Sequence, residues 1–580
     1  MKCSDFIAKF LKDNGIKITF DFTGGMIANI EDSISKTNGI ACLPTRNEQG
    51  AGFAAEGFAR ISNNFGVAMA TSGPGATNMI TAIASCYFDS VPVLFLTGQV
   101  NTKELKKNKT IRQNGFQELD IVDMVKNTTK YSKLILEKDN ISYELEKALF
   151  FMKENRPGPV LLDIPFNIQT SEIDLNNLKH FFNSPEHRKL IKVKKNNINL
   201  NKIALLLKKS KSPIVLFGNG IKISKTKDKL INFLNNNNLP AVSSLLGLGE
   251  LSNNQNNFLG FIGTYGNRSA NIALANADLI IVLGSRLDLR QTGNPSLFAN
   301  KSKIIHVDID ASSRKEDFND YLFIECNLNV FFDQLKNLKT IKKDKWFKFL
   351  KFVNKNFIEE YHDDTKFCNP NLFFQYLSKI SPTNSNIIAD VGQNQMWLAQ
   401  SWLIKNGQKL FFSGGMGAMG FSLPVAIGTY FFNPSRPAFA FMGDGGFQIN
   451  IQELETIAHN NLPLKIFVLN NKSLGMVREF QDQYFNKNHQ STVIGYSCPN
   501  LKKIADAYNF KYEKINNSDN FLSLRNIIKS KKPTIIEVIL SDKSKLTPKV
   551  VYGNTIENQA PFLSKDRSKL LNSVKDKFLN

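Results

Sequence analysis

Two short polar signals, each closing an apolar run, carry most of the chemistry legible in this 580-residue chain. Gly443-Asp444-Gly445 follows "PAFAFM", and Asn470-Asn471 follows "LKIFVL" after an interval of twenty-four residues. "INIQELETIAH", between them, has helical spacing, so both signals fall at the carboxyl ends of consecutive strands of one βαβ unit. That edge is where open α/β sheets bind ligands. Taken singly, a Gly-Asp-Gly is more often a tight turn than a site, and an Asn pair in an Asn-rich chain says nothing. Taken together, Asp444, Asn471 and a backbone carbonyl at Ser473 offer oxygen ligands that suit Mg²⁺, with diphosphate oxygens completing the shell. Gly443, Gly445 and Gly446 let backbone amides approach phosphate with no Cβ in the way.

At this spacing the pair is the signature of thiamine diphosphate, which gives meaning to a third signal, "LPTRNEQGAGFAAEGFAR" over residues 43–60. Glu48 there is either a first-turn carboxylate complementing a helix dipole or a deliberately placed acid. Thiamine diphosphate works as a carbanion at a very weakly acidic thiazolium carbon. The coenzyme deprotonates itself when its aminopyrimidine becomes an imino base, and that requires a carboxylic acid on the far pyrimidine nitrogen. Such an acid must sit in an apolar pocket, where desolvation keeps its proton available near neutral pH. The Ala, Gly and Phe around Glu48 fit that requirement.

The elements that must hold these residues are visible as apolar runs alternating with helical patterns. "FGVAMATS", "PVLFLTG", "GPVLLDIP", "SPIVLFGNG", "DLIIVLGS", "SKIIHVDID", "SNIIADVG" and "PTIIEVIL" are apolar at nearly every position, as strands covered on both faces should be. The alternation predicts an α/β protein with parallel sheets. Polar, Lys/Asn-rich stretches at about 170–200 and 335–368 read as connectors, giving domains over 1–170, 200–335 and 368–545. The 546–580 tail reads as polar, mostly irregular and free to act as a flap. Composition narrows the function classes. The formal charge of +22 is spread over Lys/Asn-rich surface stretches without an aromatic-interleaved stripe, which argues against nucleic acid. Six scattered cysteines without a CxxC argue for a reducing compartment and against structural zinc. No run approaches the ~20 apolar residues that span a bilayer, and the N-terminus lacks a signal-peptide core. A cytoplasmic protein without membrane or nucleic-acid partners is expected.

Over nearly its whole length the chain resembles the large, catalytic subunit of acetolactate (acetohydroxyacid) synthase, within the thiamine-diphosphate-dependent carboligases. The resemblance rests on "RNEQGAGFAAEGFAR", "ATSGPGATN", "GFQELDIV", "RPGPVLLDIP", "HVDID", "DVGQNQMW", "GGMGAMGFSLPVAIG", "GDGGFQINIQELETI" and "LNNKSLGMV", in the family's order. It implies thiamine-diphosphate-binding folds at the two ends, for the pyrimidine and the diphosphate with Mg²⁺, around a Rossmann-like, FAD-binding central domain. It implies Glu48 as the catalytic acid, reaching a coenzyme held by a second chain, hence a homodimer or dimer of dimers. It places Met419 as the wedge under the bent coenzyme, though a Met in a Gly-rich turn is often gap-filling. Gly25, Asn78, Arg156, Gln393, Asn394, Gly417 and Met476 are further cofactor contacts that it implies, and Arg286, Arg290 and Asp308 are those to FAD. "LGSRLD" also reads as an ordinary strand end with surface arginines. Gln117 and Phe116 of "GFQE" are implied to orient and line the acceptor, although Gln117 would serve equally as a satisfied loop residue. The activity implied is decarboxylation of pyruvate and transfer of the two-carbon unit to a second 2-ketoacid, giving 2-acetolactate for branched-chain amino-acid biosynthesis. The family also admits a regulatory small subunit.

Several residues depart from the family pattern. Asn47 and Asn394 stand where it has histidines, Phe480 where it has Trp, and Arg112 is added in the acceptor loop. Trp to Phe enlarges a pocket, and an Arg could grip a phosphate or carboxylate bidentately. A keto group on a larger acceptor, such as a nucleotide-linked keto-sugar, is therefore the alternative second substrate. None of the six histidines is adjacent to another, so the paired donor that would protonate the intermediate in a simple decarboxylase is missing.

Overall fold

The structure is a computed structural model, and it describes residues 1–108, 110–191, 198–318, 320–340, 342–362 and 364–579. The predicted runs become strands of three six-stranded parallel sheets, each flanked by helices, one sheet to a domain. The N-terminal sheet holds β1 (Ile18–Phe22), β2 (Ala41–Pro44), β3 (Gly66–Ala70), β4 (Val93–Gln99), β5 (Tyr131–Leu134) and β6 (Val160–Pro165), in the order β2-β1-β3-β4-β6-β5. The central sheet holds β7 (Pro213–Phe217), β8 (Ala241–Ser243), β9 (Phe258–Phe261), β10 (Leu279–Leu283), β11 (Lys303–Asp308) and β12 (Tyr321–Glu325). Its order, β12-β11-β10-β7-β8-β9, is that of a dinucleotide-binding fold. The C-terminal sheet holds β13 (Asn386–Ala389), β14 (Lys409–Phe412), β15 (Ala438–Gly443), β16 (Lys465–Asn470), β17 (Lys511–Ile515) and β18 (Thr534–Ile539). Its order, β14-β13-β15-β16-β18-β17, repeats the wiring of the N-terminal sheet strand for strand. β3, β4, β6, β7, β10 and β16 are buried at every residue, which is why their sequences do not alternate.

The helix Glu48–Ser62, whose first residue is the candidate acid, is positioned by two devices. Asn47 caps it, its side chain accepting from the Gln49 N–H at 2.8 Å. The helix then packs on Ser422–Phe432 of the C-terminal domain at a distance only glycine allows. A Cβ on Gly428 would lie 1.9 Å from the Ala54 carbonyl oxygen, and one on Gly57 would lie 2.5 Å from that of Val425. Further along the same helix, Arg60 is part-buried between the fully buried carboxylates of Glu56 and Asp89, at 2.5 and 2.7 Å, and donates to the Phe412 carbonyl. The Asp89 carboxylate also accepts from the Gly414 and Gly415 N–H groups, and its carbonyl accepts from Asn219 of the central domain. One aspartate thus touches all three domains.

Two segments are more ordered than their polarity predicts. In the second connector, Asp344–Asn356 is a helix with Trp346, Phe349, Leu350 and Val353 buried on one face, and Trp346 Nε1 donates to Pro213 O at 2.9 Å. The tail is not the irregular flap its composition suggests. It forms a short antiparallel pair, β19 (Lys549–Val550) with β20 (Gln559–Ala560), and a helix Lys565–Phe578. Its Val550, Ile556, Leu571 and Val574 are buried in the central domain's core, and Arg268 donates to the Gln559 and Pro561 carbonyls. Sparse apolar residues on one face are enough when a neighbouring amphipathic helix completes the layer. Residues 192–197 of the first connector, and 341 and 363 of the second, lie outside the described residues. No helix among the described residues is long and apolar enough to cross a membrane.

Gly428→Ala is expected to lower the thermal unfolding midpoint, since forcing a methyl into so close a contact costs about 1–3 kcal/mol. An unchanged melting curve would show that the two helices can separate freely.

Candidate active site

Asp444 begins a short helix directly after β15, and Asn471 follows β16, so both lie at the carboxyl edge of neighbouring strands. Asp444 is buried. Its Oδ1 accepts from the Gly445 N–H at 3.1 Å, while Oδ2 is enclosed without a well-aligned partner. Burial pushes this carboxyl up to about 6, against the pull of the Gly445 N–H and the Tyr496 hydroxyl. Asn471 Oδ1 accepts from the Ser473 N–H at 3.2 Å, and its Nδ2 donates to Gln393 Oε1 at 2.9 Å. Ser473 is buried, and its Oγ accepts from Arg478. Around this pair stand the other predicted residues of the C-terminal domain. A Cβ on Gly445 would meet Leu474, Tyr496 and the Met419 methyl, so Met419 lies over that turn. A Cβ on Gly417 would point into open space, and Gly443 has only the Asn394 amide near it, at 4.0 Å from a Cβ position. A Cβ on Gly446 would sit 2.9 Å from Asp390 Oδ1. Asn394 is buried with its Oδ1 unpartnered, and Met476 accepts a hydrogen bond from Tyr265 at its sulfur.

A second cluster gathers on the edge of the N-terminal sheet. Glu48 is only 6% exposed, although it occupies a helix first turn. Its Oε2 accepts from Asn78 Nδ2 at 2.9 Å, and its Oε1 lies 3.2 Å from where a Cβ on Gly75 would be. Glu48 is thus a first-turn carboxylate that is nonetheless buried. The Thr71 side chain joins this group to the Gly24–Met26 loop, its Oγ1 accepting from the Met26 N–H at 3.2 Å, and Gly25 beside it faces open space. Gln117 holds φ +62° and packs on Gly73 at the same edge. Phe116, one residue earlier, is 80% exposed on this chain. Its loop is held by Glu118, which accepts from the Lys106, Asn114 and Gly115 N–H groups. Of the departures, Asn47 serves as the helix cap, Phe480 is half-exposed against Tyr484 and Phe485, and Arg112 is exposed.

A third group lines a cavity of about 350 Å³ between the domains. Arg156, Arg286, Arg290 and Asp308 all contribute to its wall. Gly220 and Gly284 approach so closely there that a Cβ on Gly220 would lie 2.6 Å from the Gly284 Cα. Arg156 is fixed by Ser90 at 2.7 Å and by Asp310 at 3.1 Å, and burial raises the Asp308 carboxyl.

Four residues of this architecture carry no signal in the local sequence. Asp390 accepts from the Gly420 and Ser422 N–H groups, and burial raises its carboxyl to about 6. Glu453 accepts from the Arg46 N–H next to the Glu48 helix, and Tyr496 lies against Asp444. Glu479, from "GMVREFQ", is buried beneath the tail.

Comparison with known proteins agrees with this layout. The families described as the thiamine pyrophosphate enzyme N-terminal TPP binding domain, central domain and C-terminal TPP binding domain match residues 1–124, 200–335 and 390–538. The acetolactate synthase large subunit of Lactococcus lactis subsp. lactis is 35% identical over 558 residues, covering 95% of this chain and 94% of that protein. A probable acetolactate synthase large subunit of Methanocaldococcus jannaschii is 33% identical over 96% of this chain and 95% of its own length. The chloroplastic acetolactate synthase 2 of Nicotiana tabacum is 30% identical, with shares of 96% and 85%.

A carboxyl whose pKa is raised on folding binds more protons in the folded state. Its stabilisation is full below the unfolded value near 4 and is lost as the pH rises through about 6. Asp444→Asn, which mimics the protonated acid, is therefore expected to raise the melting temperature of the unliganded chain at pH 8 and to raise it clearly less at pH 5, where the folded-state carboxyl is still largely protonated. Equal shifts at both pH values would mean that the carboxylate is not desolvated.

Proposed function

The chain belongs to the acetolactate synthase large-subunit family of thiamine pyrophosphate enzymes, and on that premise we propose that it decarboxylates pyruvate and joins the two-carbon unit to a second 2-ketoacid, giving 2-acetolactate. The observation that carries this reading is the buried Asp444 carboxylate, whose Oδ2 has no well-aligned partner, at the strand end next to that of Asn471, a donor set suited to a cation. The relatives named above are acetolactate synthases, which favours the 2-ketoacid acceptor over a keto-sugar.

Asp444, Asn471 and the Ser473 carbonyl would hold Mg²⁺ against the diphosphate. Gly443, Gly445 and Gly446 would turn backbone N–H groups towards its oxygens. Gln393, Asn394, Gly417, Met419 and Met476 would line the same seat, with Gly25 and Asn78 at the pyrimidine end. Thiamine diphosphate, when bound, supplies the nucleophilic carbon that attacks the 2-ketoacid and the electron sink for loss of CO₂. Glu48 would hydrogen-bond the pyrimidine nitrogen through its buried carboxyl, which Asn78 orients at Oε2. Gln117 would donate from Nε2 to the acceptor carbonyl, and Phe116 would keep water from the reacting carbon.

Glu48 bonds within the N-terminal domain and Asp444 within the C-terminal one. We read this as two half-sites, each completed by a second copy of the chain in a homodimer. The exposure of Phe116, Val477, Phe480 and Phe485 leaves apolar surface for such a partner to cover. Arg156, Arg286, Arg290 and Asp308 would hold FAD in the central cavity, with the guanidinium groups matching its diphosphate. The proposed reaction consumes no oxidant, so the flavin would hold the domains in place rather than turn over. All six cysteines are free, in keeping with a reducing, cytoplasmic setting.

With thiamine diphosphate, Mg²⁺ and pyruvate, the purified protein is expected to form acetolactate, scored as acetoin after acid treatment. Product only on addition of a keto-sugar would move the acceptor to the alternative. Glu48→Gln should lower kcat by about 10²–10⁴ while leaving coenzyme affinity within a few-fold. Mixing Glu48→Gln with Asp444→Asn protein, each inactive alone, should restore activity, because one site of each mixed dimer is then intact. Failure of mixed dimers to recover would place both residues in one chain's site.

A further inference from the structure

Glu479 lies on the helix Gly475–Tyr484, outside the residues assigned above to the coenzyme or the metal, and is 5% exposed. A carboxylate so far from water must be matched by donors, and Glu479 has three. Its Oε1 accepts from Gln393 Nε2 at 2.5 Å and from the Leu546 N–H at 2.8 Å, and its Oε2 pairs with Lys549 Nζ at 2.7 Å. Leu546 and Lys549 belong to a strap, residues 544–550, that lies along the site. Gln393 and Arg478 donate to the Ser544 carbonyl, Trp397 to that of Lys545, and Gln400 to that of Pro548.

The consequence for the metal site follows from donor and acceptor types. A carboxamide offers oxygen on one side and N–H on the other, and only the oxygen can ligate a cation. Gln393 must turn its N–H₂ to Glu479, since the reverse orientation would set its oxygen against a buried carboxylate. Its Oε1 is thereby committed to the other side, where it accepts from Asn471 Nδ2 at 2.9 Å. Asn471 is committed in turn, N–H₂ to Gln393, so that Oδ1, which also accepts from the Ser473 N–H at 3.2 Å, is the atom whose second lone pair is left for the cation. Gly475 makes room for this relay, for a Cβ there would lie 1.9 Å from Gln393 Oε1 and 2.7 Å from Asn471 Nδ2. We propose that Glu479 is a positioning residue: its charge sets the orientation of two successive amides, so that Asn471 presents oxygen to a divalent cation, and the same charge clamps the 544–550 strap over the site. The proposal rests on the reading of Asp444 and Asn471 as metal ligands.

Mn²⁺ affinity, measured by electron paramagnetic resonance with thiamine diphosphate present, tests it without reference to turnover. Glu479→Gln keeps the size but no longer forbids Gln393 from turning over, and should weaken Mn²⁺ binding about 10–100-fold, the usual effect of losing such support. In an Asn471→Asp background either oxygen of the introduced carboxylate can ligate, and Gln393 must turn its N–H₂ towards that carboxylate. There Glu479→Gln should cause no loss and should improve binding, a reversal that a general loss of packing would not produce. Lys549→Met should leave Mn²⁺ affinity within about three-fold and speed proteolytic cleavage of the unliganded chain within 541–550. Equal weakening by Glu479→Gln in both backgrounds, or none in either, overturns the relay. Absence of Mn²⁺ binding by the unsubstituted protein would instead sink the metal-site reading beneath it.

Discussion

Asp89 is the point on which the three domains depend. Its side chain is fully buried, and it is paired with Arg60 from the helix that begins at Glu48. The Gly414 and Gly415 N–H groups it accepts from open the loop that carries Gly417 and Met419. Its neighbour Ser90 holds Arg156 on the wall of the central cavity, and its carbonyl holds Asn219. Breaking one member of such a buried ion cluster strands the others without water, typically at a cost of about 3–5 kcal/mol. A single carboxylate therefore fixes the spatial relation among the Glu48–Ser62 helix, the loop that carries Met419 and the cavity walled by Arg156.

Close helix packing reinforces this relation. Gly57 and Gly428 allow the Glu48–Ser62 and Ser422–Phe432 helices to touch backbone to backbone, and Glu453 and Asn450 of the C-terminal domain bond the Arg46 N–H and the Gln49 side chain on either side of Glu48. The acid is thus held by the domain that carries its own chain's Asp444, although its carboxyl contacts remain in the N-terminal domain. Rigidity of this kind is what the proposed role of Glu48 would need, because a misplacement of 1 Å can cost two orders of magnitude in rate.

Much of this was legible in the residues themselves. The parallel sheets announce themselves because β3, β10 and β16 are apolar at positions on both faces, and Asp444 and Asn471 because spacing and strand ends coincide. Glu48 was legible only once the coenzyme was suspected, since a helix first turn and a buried acid share one sequence pattern. Asp89, Asp390 and Glu479 were not legible, because what defines each is a partner far along the chain. Asp89 meets Gly414 across 325 residues, and Glu479 meets Leu546 across 67. The helix at Trp346 and the tail helix at Leu571 were masked by lysines whose charged ends face solvent while one thin apolar stripe faces inward.

The repeated wiring of the first and last sheets has a bearing on redesign. Counted along the chain within each sheet, Gly25 and Gln393 follow the first strand, Glu48 and Met419 the second, and Asn78 and Asp444 the third. The molecule therefore owns two chassis of one strand order with equivalent mounting points, one carrying Glu48 and the other Asp444 and Asn471. Loops that leave matching strands therefore leave sheets of one strand order, with the same neighbours on either side.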